Sequence, residues 1–177
     1  MRAAKRPHPR QHTQRKRSTG FTLIELMIVL IIVAIIGGAG LPAMYRMTAN
    51  NRIATQTNEL LADINFARSE AIKQGKRISL CRGITCQAGA TWNDGWVVFE
   101  DLNDNNALDL NEPIFRVHDA IDNSIQINFN NGNVVAYNAN GRLANGAGSF
   151  NLRDNDGNGR NVIISPAGRA RTEVVDH

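Results

Sequence analysis

The sequence predicts an α+β protein in which a long N-terminal α-helix packs on a C-terminal, mostly antiparallel β head. Three observations predict this fold class. An unbroken apolar run fills residues 21–41, a helical pattern continues through residues 42–75, and short runs of β-prone residues separated by turns fill residues 76–177. With 177 residues, the chain has room for one domain of ordinary size and an extension.

The charge is distributed unevenly along the chain. Residues 1–20 hold seven of the 20 Lys and Arg side chains and no acid. The remaining 13 basic side chains accompany 16 acids, so residues 21–177 carry a net charge of −3 although the whole chain carries +4. A basic protein often binds nucleic acid, but here the basic character is lost if residues 1–20 are removed.

The first half of the predicted helix, residues 21–41, is long enough to cross a bilayer. Its 21 residues reach about 30 Å at a rise of about 1.5 Å per residue, which matches the hydrocarbon core. A cleavable secretory signal would have a shorter apolar core followed by small residues at the cleavage site. Because the basic residues precede the run, we expect a single pass through a membrane, with the N-terminus in the cytoplasm and the head in the periplasm or another extracytoplasmic space.

Glu25 places a carboxylate inside this apolar run. An acid in a membrane segment is costly and often marks a function that supplies a partner. Glu25 is also only about one helical turn from Phe21, so its side chain would reach the headgroup region without any partner. The residues alone leave both interpretations open.

The stretch GFTLIELMIVLIIVAIIG, which follows a basic leader, resembles the class III signal of type IV pilins and pseudopilins. The resemblance implies that a prepilin peptidase removes residues 1–20 by cutting between Gly20 and Phe21, and that the new N-terminal Phe21 is methylated. It also gives Glu25 a partner, the α-ammonium group of Phe21 in a neighbouring subunit of the filament. A buried charge that is costly alone is tolerated when it is paired.

The second half of the helix, residues 42–75, is predicted to be amphipathic. Apolar residues spaced three, four or seven apart form one stripe, which is expected to pack on a sheet: Ile53, Leu60, Ile64, Ala67 and Ala71. Polar side chains lie mostly off the stripe: Arg52, Glu59, Asp63, Arg68 and Lys73. Pro42 is expected to kink or locally melt the helix, and Gly75 is expected to end it.

The head, residues 76–177, shows strand patterns with turn residues between them. The predicted strands are residues 77–82, 95–100, 113–118, 124–129, 133–138, 149–153, 160–165 and 169–175. The Asn-Gly pair within residues 130–133 predicts a hairpin between the fourth and fifth strands. Residues 153–160 predict a second hairpin turn.

Cys81 and Cys86 are the two cysteines of the chain. In an oxidising compartment such as the predicted periplasm, a pair that closes a short loop indicates a structural disulfide. A redox pair is less consistent with the C-x4-C spacing. A metal site would require further ligands, and no cluster of histidines lies nearby in the sequence.

The stretch WNDGWVVFEDLNDNNALDLNEPIFRV resembles the GspH/FimT group of minor pilins and pseudopilins. The matching residues lie in an aromatic strand and in a second strand after an acidic, Asn-rich loop: Trp92, Gly95, Trp96, Phe99, Glu112, Pro113, Ile114 and Arg116. The resemblance implies a pilin-like fold. It also implies a subunit whose partners are other pilins or pseudopilins, in a type IV pilus or a type II secretion system.

The loop between these two strands carries oxygen-bearing side chains at relative positions 1, 3, 5, 9 and 12: Asp101, Asn103, Asn105, Asp109 and Glu112. That spacing is typical of an EF-hand calcium loop. Asn106 replaces the glycine that the sharp turn requires, and strands rather than helices flank the loop. A solvated turn without metal is therefore the alternative.

Gly168, Arg169 and Arg171 form a G-R-x-R sequence, which resembles the motif that the FimT branch of the family uses for DNA in natural transformation. In an extended strand Arg169 and Arg171 share a face, and each guanidinium is able to hold a phosphate without reading the base sequence. Three further arginines would enlarge the patch if the fold brings them near: Arg142, Arg153 and Arg160. The alternative is a pair of ordinary surface arginines, because residues 21–177 are net acidic.

An enzymatic function is not expected. The histidines are His8, His12, His118 and His177, and they do not suggest a nucleophilic or metal site. We expect a minor pilin or pseudopilin that a prepilin peptidase processes and that has no resident cofactor. A role in binding double-stranded DNA is favoured. The alternative is a purely structural subunit of a type II secretion pseudopilus or of a pilus tip.

Overall fold

The structure is a computed structural model that describes residues 20–155 and 157–175, and only the backbone of residues 39–43 and 46. The elements in chain order are α1 (Leu23–Gln74), β1 (Ile78–Arg82), a short 3₁₀ helix (Trp92–Asp94), β2 (Trp96–Glu100), β3 (Ile114–His118), β4 (Ile125–Phe129), β5 (Val134–Tyr137), β6 (Gly148–Asp154), β7 (Gly159–Ile164) and β8 (Ala170–Val175). Each of these strands begins and ends within one residue of its predicted position. Most of the predicted leader, residues 1–19, lies outside the described residues.

The N-terminal part of α1 is apolar and exposed. Thr22 caps the helix, because its Oγ1 accepts a hydrogen bond from the Glu25 backbone N–H at 3.3 Å. The large apolar side chains between Phe21 and Ile36 are all exposed, Phe21 to 82%. This part of the chain therefore lacks a core of its own.

The backbone of α1 remains helical through Pro42. Of the two effects expected at that proline, local melting is therefore wrong, and the kink stays a prediction. Among the residues that the structure describes, none of the helical segments has the length and apolarity needed to cross a membrane. The membrane-spanning role of residues 21–41 stays a prediction.

The part of α1 from residue 44 onward contributes the predicted apolar stripe. Its members are all buried: Ile53, Leu60, Ile64, Ala67 and Ala71. The helix ends at Gly75, whose φ of +66° is the left-handed conformation that glycine adopts readily. The N–H groups of Gly75 and Lys76 both donate to Ala71 O, at 3.0 and 3.3 Å, which satisfies a carbonyl of the last turn.

The strands form two antiparallel sheets of four strands each. Sheet A has the order β3-β2-β1-β5 and sheet B the order β4-β6-β7-β8. The inner faces of both sheets and the stripe of α1 share one core, whose largest side chains are Trp92, Trp96, Tyr137 and Phe150. A long helix on a mostly antiparallel β head is the predicted α+β fold class, which is confirmed.

The turn at residues 130–133 does not form the predicted hairpin. β4 pairs with β6, whereas β5 pairs with β1, so the Asn-Gly turn carries the chain from sheet B to sheet A. The turn at residues 153–160 does join paired strands, β6 and β7. There the Asp154 N–H donates to Asn158 O at 3.0 Å. Asp156, in the same turn, lies outside the described residues.

Candidate functional site

The predicted cleavage site is accessible. Gly20 and Phe21, on either side of the bond, are both exposed. Glu25 lies in the first turn of α1, and its side chain is exposed as well. Within the described part of the chain its carboxylate has no hydrogen-bond or ion-pair partner, so it is free to meet a group of another molecule.

Arg171 lies in β8, an edge strand of sheet B, and Arg169 directly precedes this strand. Both side chains are exposed. The Ser165 N–H donates to Arg169 O at 3.0 Å, and Arg171 lies opposite Ile163. Because residues two apart on an extended chain share a face, both arginines lie on the face of sheet B that points away from α1. Arg171 forms an ion pair with Glu173 at 2.9 Å, a type of surface contact that contributes little to stability.

The three further arginines lie in different surroundings. Arg142 is exposed in the loop after β5. Arg153 lies on the outer face of β6. Along the strand direction it is about 13 Å from the β6 residue that is in cross-strand register with Arg171. It donates to Asn151 Oδ1 and Gly157 O, at 3.2 Å each. Arg160 lies on the inner face of β7 and lines a cavity beside α1, so the fold does not bring it to the face of Arg171.

The Asn-rich loop after β2 is held by its own hydrogen bonds. Asp101 is only 2% exposed, and its two oxygens accept the N–H groups of Asn105 at 3.0 Å and Asn106 at 3.1 Å. Arg77 forms an ion pair with the same carboxylate at 3.2 Å. Glu112 accepts two more backbone N–H groups of the loop, at 2.8 and 2.9 Å.

The side chains proposed as calcium ligands therefore do lie in one loop. Asp109 Oδ2 accepts hydrogen bonds from the side-chain amides of Asn103 and Asn105, at 2.8 and 2.9 Å. In the described parts of the chain, no three His, Cys, Asp or Glu residues are grouped so that they could hold a metal ion. Calcium binding here stays a prediction, and these oxygens would have to exchange hydrogen bonds for the ion.

Cys81 and Cys86 form the predicted disulfide, with their Cα atoms 5.6 Å apart. Cys81 is buried on β1 together with Val97 and Phe99. These residues form a small second apolar cluster, separate from the main core. The disulfide therefore attaches the loop after β1 to this cluster, which is a structural position.

A polar cluster between α1 and sheet A is not apparent from the sequence. Asp63 is buried although the helical pattern places it off the apolar stripe. Its carboxylate accepts hydrogen bonds from Trp96 Nε1 and from Arg116 Nη1, both at 2.8 Å. The Arg116 guanidinium also lies 3.8 Å from the centre of the Phe66 ring. A helical pattern cannot show these partners, because they come from distant strands.

Two protein-family models match the chain. The model of the type II transport protein GspH matches residues 56–168, and the prokaryotic N-terminal methylation motif matches residues 15–41. The first covers most of the head, and the second covers the predicted cleavage site and Glu25. A fimbrial protein of Pseudomonas aeruginosa is 38% identical over 63 residues, which are 36% of this chain and 40% of that protein. The chain thus matches about two fifths of the length of such curated relatives.

Solved structures share the fold. The type IV minor pilin FimU of Pseudomonas aeruginosa aligns with a TM-score of 0.59 and 26% identity, over 72% of this chain and 92% of FimU. The minor pseudopilin EpsH from the Type 2 Secretion System of Vibrio cholerae aligns with a TM-score of 0.52, over 70% of this chain and 97% of EpsH. At 10% identity, EpsH shows a likeness of fold alone.

Proposed function

We propose that α1 anchors the protein in the inner membrane and carries it into the filament, because the chain belongs to the GspH family of type II transport proteins and is a minor pilin or pseudopilin of a type IV filament system. The N-terminus would face the cytoplasm and the head the periplasm. The head would then be the part that contacts other molecules outside the membrane.

The exposed apolar surface of α1 between Phe21 and Ile36 carries this proposal. Burying one large apolar side chain contributes about 1.5–3 kcal/mol. A helix that exposes a continuous series of such side chains is therefore stable only when lipid or other helices cover it. Lipid would cover this surface before assembly, and the helices of neighbouring subunits would cover it in the filament.

Processing prepares the same helix for assembly. We infer that a prepilin peptidase cuts between Gly20 and Phe21 and that Phe21 is then methylated, which the match to the methylation motif supports. The cut creates an α-ammonium group at Phe21. In the filament, Glu25 of one subunit would pair with this group in its neighbour, because a buried carboxylate requires such a partner.

Co-expression of the tagged full-length chain with a prepilin peptidase and the other filament subunits tests the proposal. Mass spectrometry is expected to find methylated Phe21 as the N-terminus, and sheared filaments are expected to contain the tag. Gly20→Val is the control that should retain the leader. A chain that keeps its leader, or one that is processed but absent from well-formed filaments, would overturn the proposal.

Of the two machines, the type IV pilus is favoured. FimU, a type IV minor pilin by its name, is 26% identical over 92% of its chain, which supports this choice. Deletion of the gene should then reduce surface pili and leave type II secretion unchanged. Loss of secretion with normal piliation would assign the chain to the secretion system instead.

A second role, contact with double-stranded DNA, is favoured by the exposure of Arg169 and Arg171 on one face of sheet B. Guanidinium groups bind phosphates without reading sequence, as an uptake receptor requires. A few such contacts give weak binding that is strongly dependent on salt, on the order of micromolar or weaker. Several subunits in one filament would raise the avidity.

A mobility-shift assay with the head tests this second role. Residues 44–177 form a compact unit that contains the whole described core, so this fragment should fold alone. The wild-type head should retard double-stranded DNA at low salt, and Arg169→Ala combined with Arg171→Ala should abolish the shift. Arg52→Ala, which changes an exposed arginine of α1, is the control. If the wild type gives no shift even at low salt, or if the double variant binds as well as the wild type, the subunit is purely structural.

A further inference from the structure

Arg68 ties two separate loops of the head to α1. Its half-buried guanidinium donates from Nε to Gly141 O at 3.0 Å and from Nη2 to Ala167 O at 3.3 Å. Gly141 belongs to the loop after β5, and Ala167 to the loop before β8. A single side chain of the helix therefore holds both loops through their backbones.

The two loops touch each other where each has a glycine. Gly141 and Gly168 have φ values of +73° and +80°. A Cβ atom on Gly168 would overlap Gly141 O and would lie 3.0 Å from Arg68 Nε. The Leu143 N–H also donates to Pro166 O at 3.3 Å. Only a residue without a side chain permits this contact, so Gly168 is required for packing as well as for its backbone conformation.

Tyr137 supports the same contact from the core. Its buried hydroxyl donates to Gly168 O at 3.3 Å. Burial raises the pKa of Tyr137 well above its ordinary value, although the positive charge of Arg68 opposes the shift. The hydroxyl therefore keeps its proton at physiological pH and remains a donor.

An arginine follows each of the two glycines. The Gly141–Arg142 and Gly168–Arg169 pairs contact each other through their glycines, so the backbones of Arg142 and Arg169 lie within roughly 10 Å of each other. Both arginine side chains are exposed. Within the described residues neither forms an ion pair with a carboxylate.

We propose that Arg68 is the positioning residue of a phosphate-binding surface formed by Arg142, Arg169 and Arg171. This inference rests on the proposed contact with DNA. By fixing both Gly-Arg pairs to α1, Arg68 makes the guanidinium groups of two loops available to one phosphate backbone at the same time. Groups that are already in place lose less conformational entropy on binding, so a small number of contacts suffices. Arg153 and Arg160 lie outside this surface.

A substitution that separates the loops without changing the charge gives the sharpest test. Gly168→Ala in the 44–177 head places a methyl group against Gly141 O. We expect binding of a double-stranded DNA oligonucleotide to weaken about tenfold. The slope of log K against log salt should also fall by about one, because a phosphate contact is lost. Gly132→Ala is the matched control, since Gly132 has a φ of +86° but open space around it.

Arg68→Lys is a second variant, which covers the case in which Gly168→Ala does not fold. It keeps the charge and removes the planar group that reaches two carbonyls. The same weakening and the same smaller salt slope are expected. Arg52→Lys, at an exposed arginine of the same helix, should bind as the wild type does. Circular dichroism and thermal unfolding report whether each head is folded.

The outcomes distinguish a failure of the proposed DNA contact from a failure of the positioning role of Arg68. If the wild-type head does not bind DNA, the proposed contact fails and the positioning role fails with it. If the wild type binds, but the folded Gly168→Ala and Arg68→Lys heads keep its affinity and its salt slope, the contact stands and the positioning role is overturned. Weaker binding with an unchanged salt slope also overturns it, because all phosphate contacts would then remain.

Discussion

Trp96 donates its indole N–H to the carboxylate of Asp63 across the contact between α1 and sheet A, at an N···O distance of 2.8 Å. Both residues are buried. The other oxygen of Asp63 accepts Arg116 Nη1, also at 2.8 Å. One helical carboxylate thus holds donors from two adjacent strands, β2 and β3, which fixes the position of sheet A on the helix.

Replacing Asp63 by Ala should destabilise the head. The buried Trp96 N–H would lose its acceptor, and an unsatisfied buried donor costs about 1–3 kcal/mol. Urea unfolding of the 44–177 head measures the loss. Asp119→Ala is the control, because the Asp119 side chain is exposed and has no hydrogen-bond or ion-pair partner within the described residues, so its loss should cost less than about 1 kcal/mol. Equal losses for the two variants would show that the hydrogen bonds of Asp63 add no more to the free energy of unfolding than an exposed side chain does.

The disulfide should stabilise the head by about 2 kcal/mol, since it closes a short loop in the unfolded chain. Cys81 and Cys86 are five positions apart, and Cys81 packs with Phe99 in the second apolar cluster. A reductant is expected to lower the thermal midpoint of the wild-type head. The double variant Cys81→Ala and Cys86→Ala should start lower and not respond to reductant. A wild type that reductant does not affect would contradict the prediction.

Asp94 predicts a loss of stability in acid. Its carboxylate accepts the backbone N–H of Thr91 at 2.7 Å and the Thr91 hydroxyl at 2.8 Å. These bonds lower the pKa of Asp94 below its ordinary value. A carboxyl with a lowered pKa in the folded state contributes stability above its unfolded pKa of about 4. This stability is lost as the pH falls through the folded pKa.

Urea unfolding between about pH 2 and pH 7 measures this effect. Asp94→Asn should be less stable than the wild type at neutral pH, and the difference should shrink in acid. Asp119→Asn, at another exposed aspartate, serves as the control. A constant difference between Asp94→Asn and the wild type at all pH values would show that the carboxylate charge is not involved.

The strands were predictable from the sequence because each depends on local alternation and on turn residues. The assignment of each strand to sheet A or sheet B was not predictable, because it depends on which strands pair across long stretches of sequence. The Asn-Gly turn at residues 130–133 illustrates the difference. Its local chemistry suits a hairpin, but the inner faces of β4 and β5 belong to different sheets, and burial of those faces outweighs the preference of the turn.

The candidate site was predictable to a similar extent. The motif identified Arg169 and Arg171, and the spacing of the cysteines identified the disulfide. The sequence around Arg68 does not indicate its role, since Arg68 is one of several polar residues that lie off the apolar stripe of the helix. Its role depends on the carbonyl oxygens of Gly141 and Ala167, which lie 73 and 99 positions away. Contacts of this kind arise only from the tertiary fold.

Glu25 gives the most direct test of assembly. Replacing it by Ala removes a carboxylate that has no partner within the described part of the chain, so membrane insertion should be unchanged or slightly easier. Incorporation into filaments should fall strongly, because the α-ammonium group of Phe21 in the neighbouring subunit would lose its counter-charge. Membrane fractionation and immunoblots of sheared filaments measure the two steps separately. Glu25→Asp, which keeps the charge on a shorter side chain, should incorporate better than Glu25→Ala. Normal incorporation of Glu25→Ala would refute the pairing, and poor insertion would indicate a role in the membrane itself.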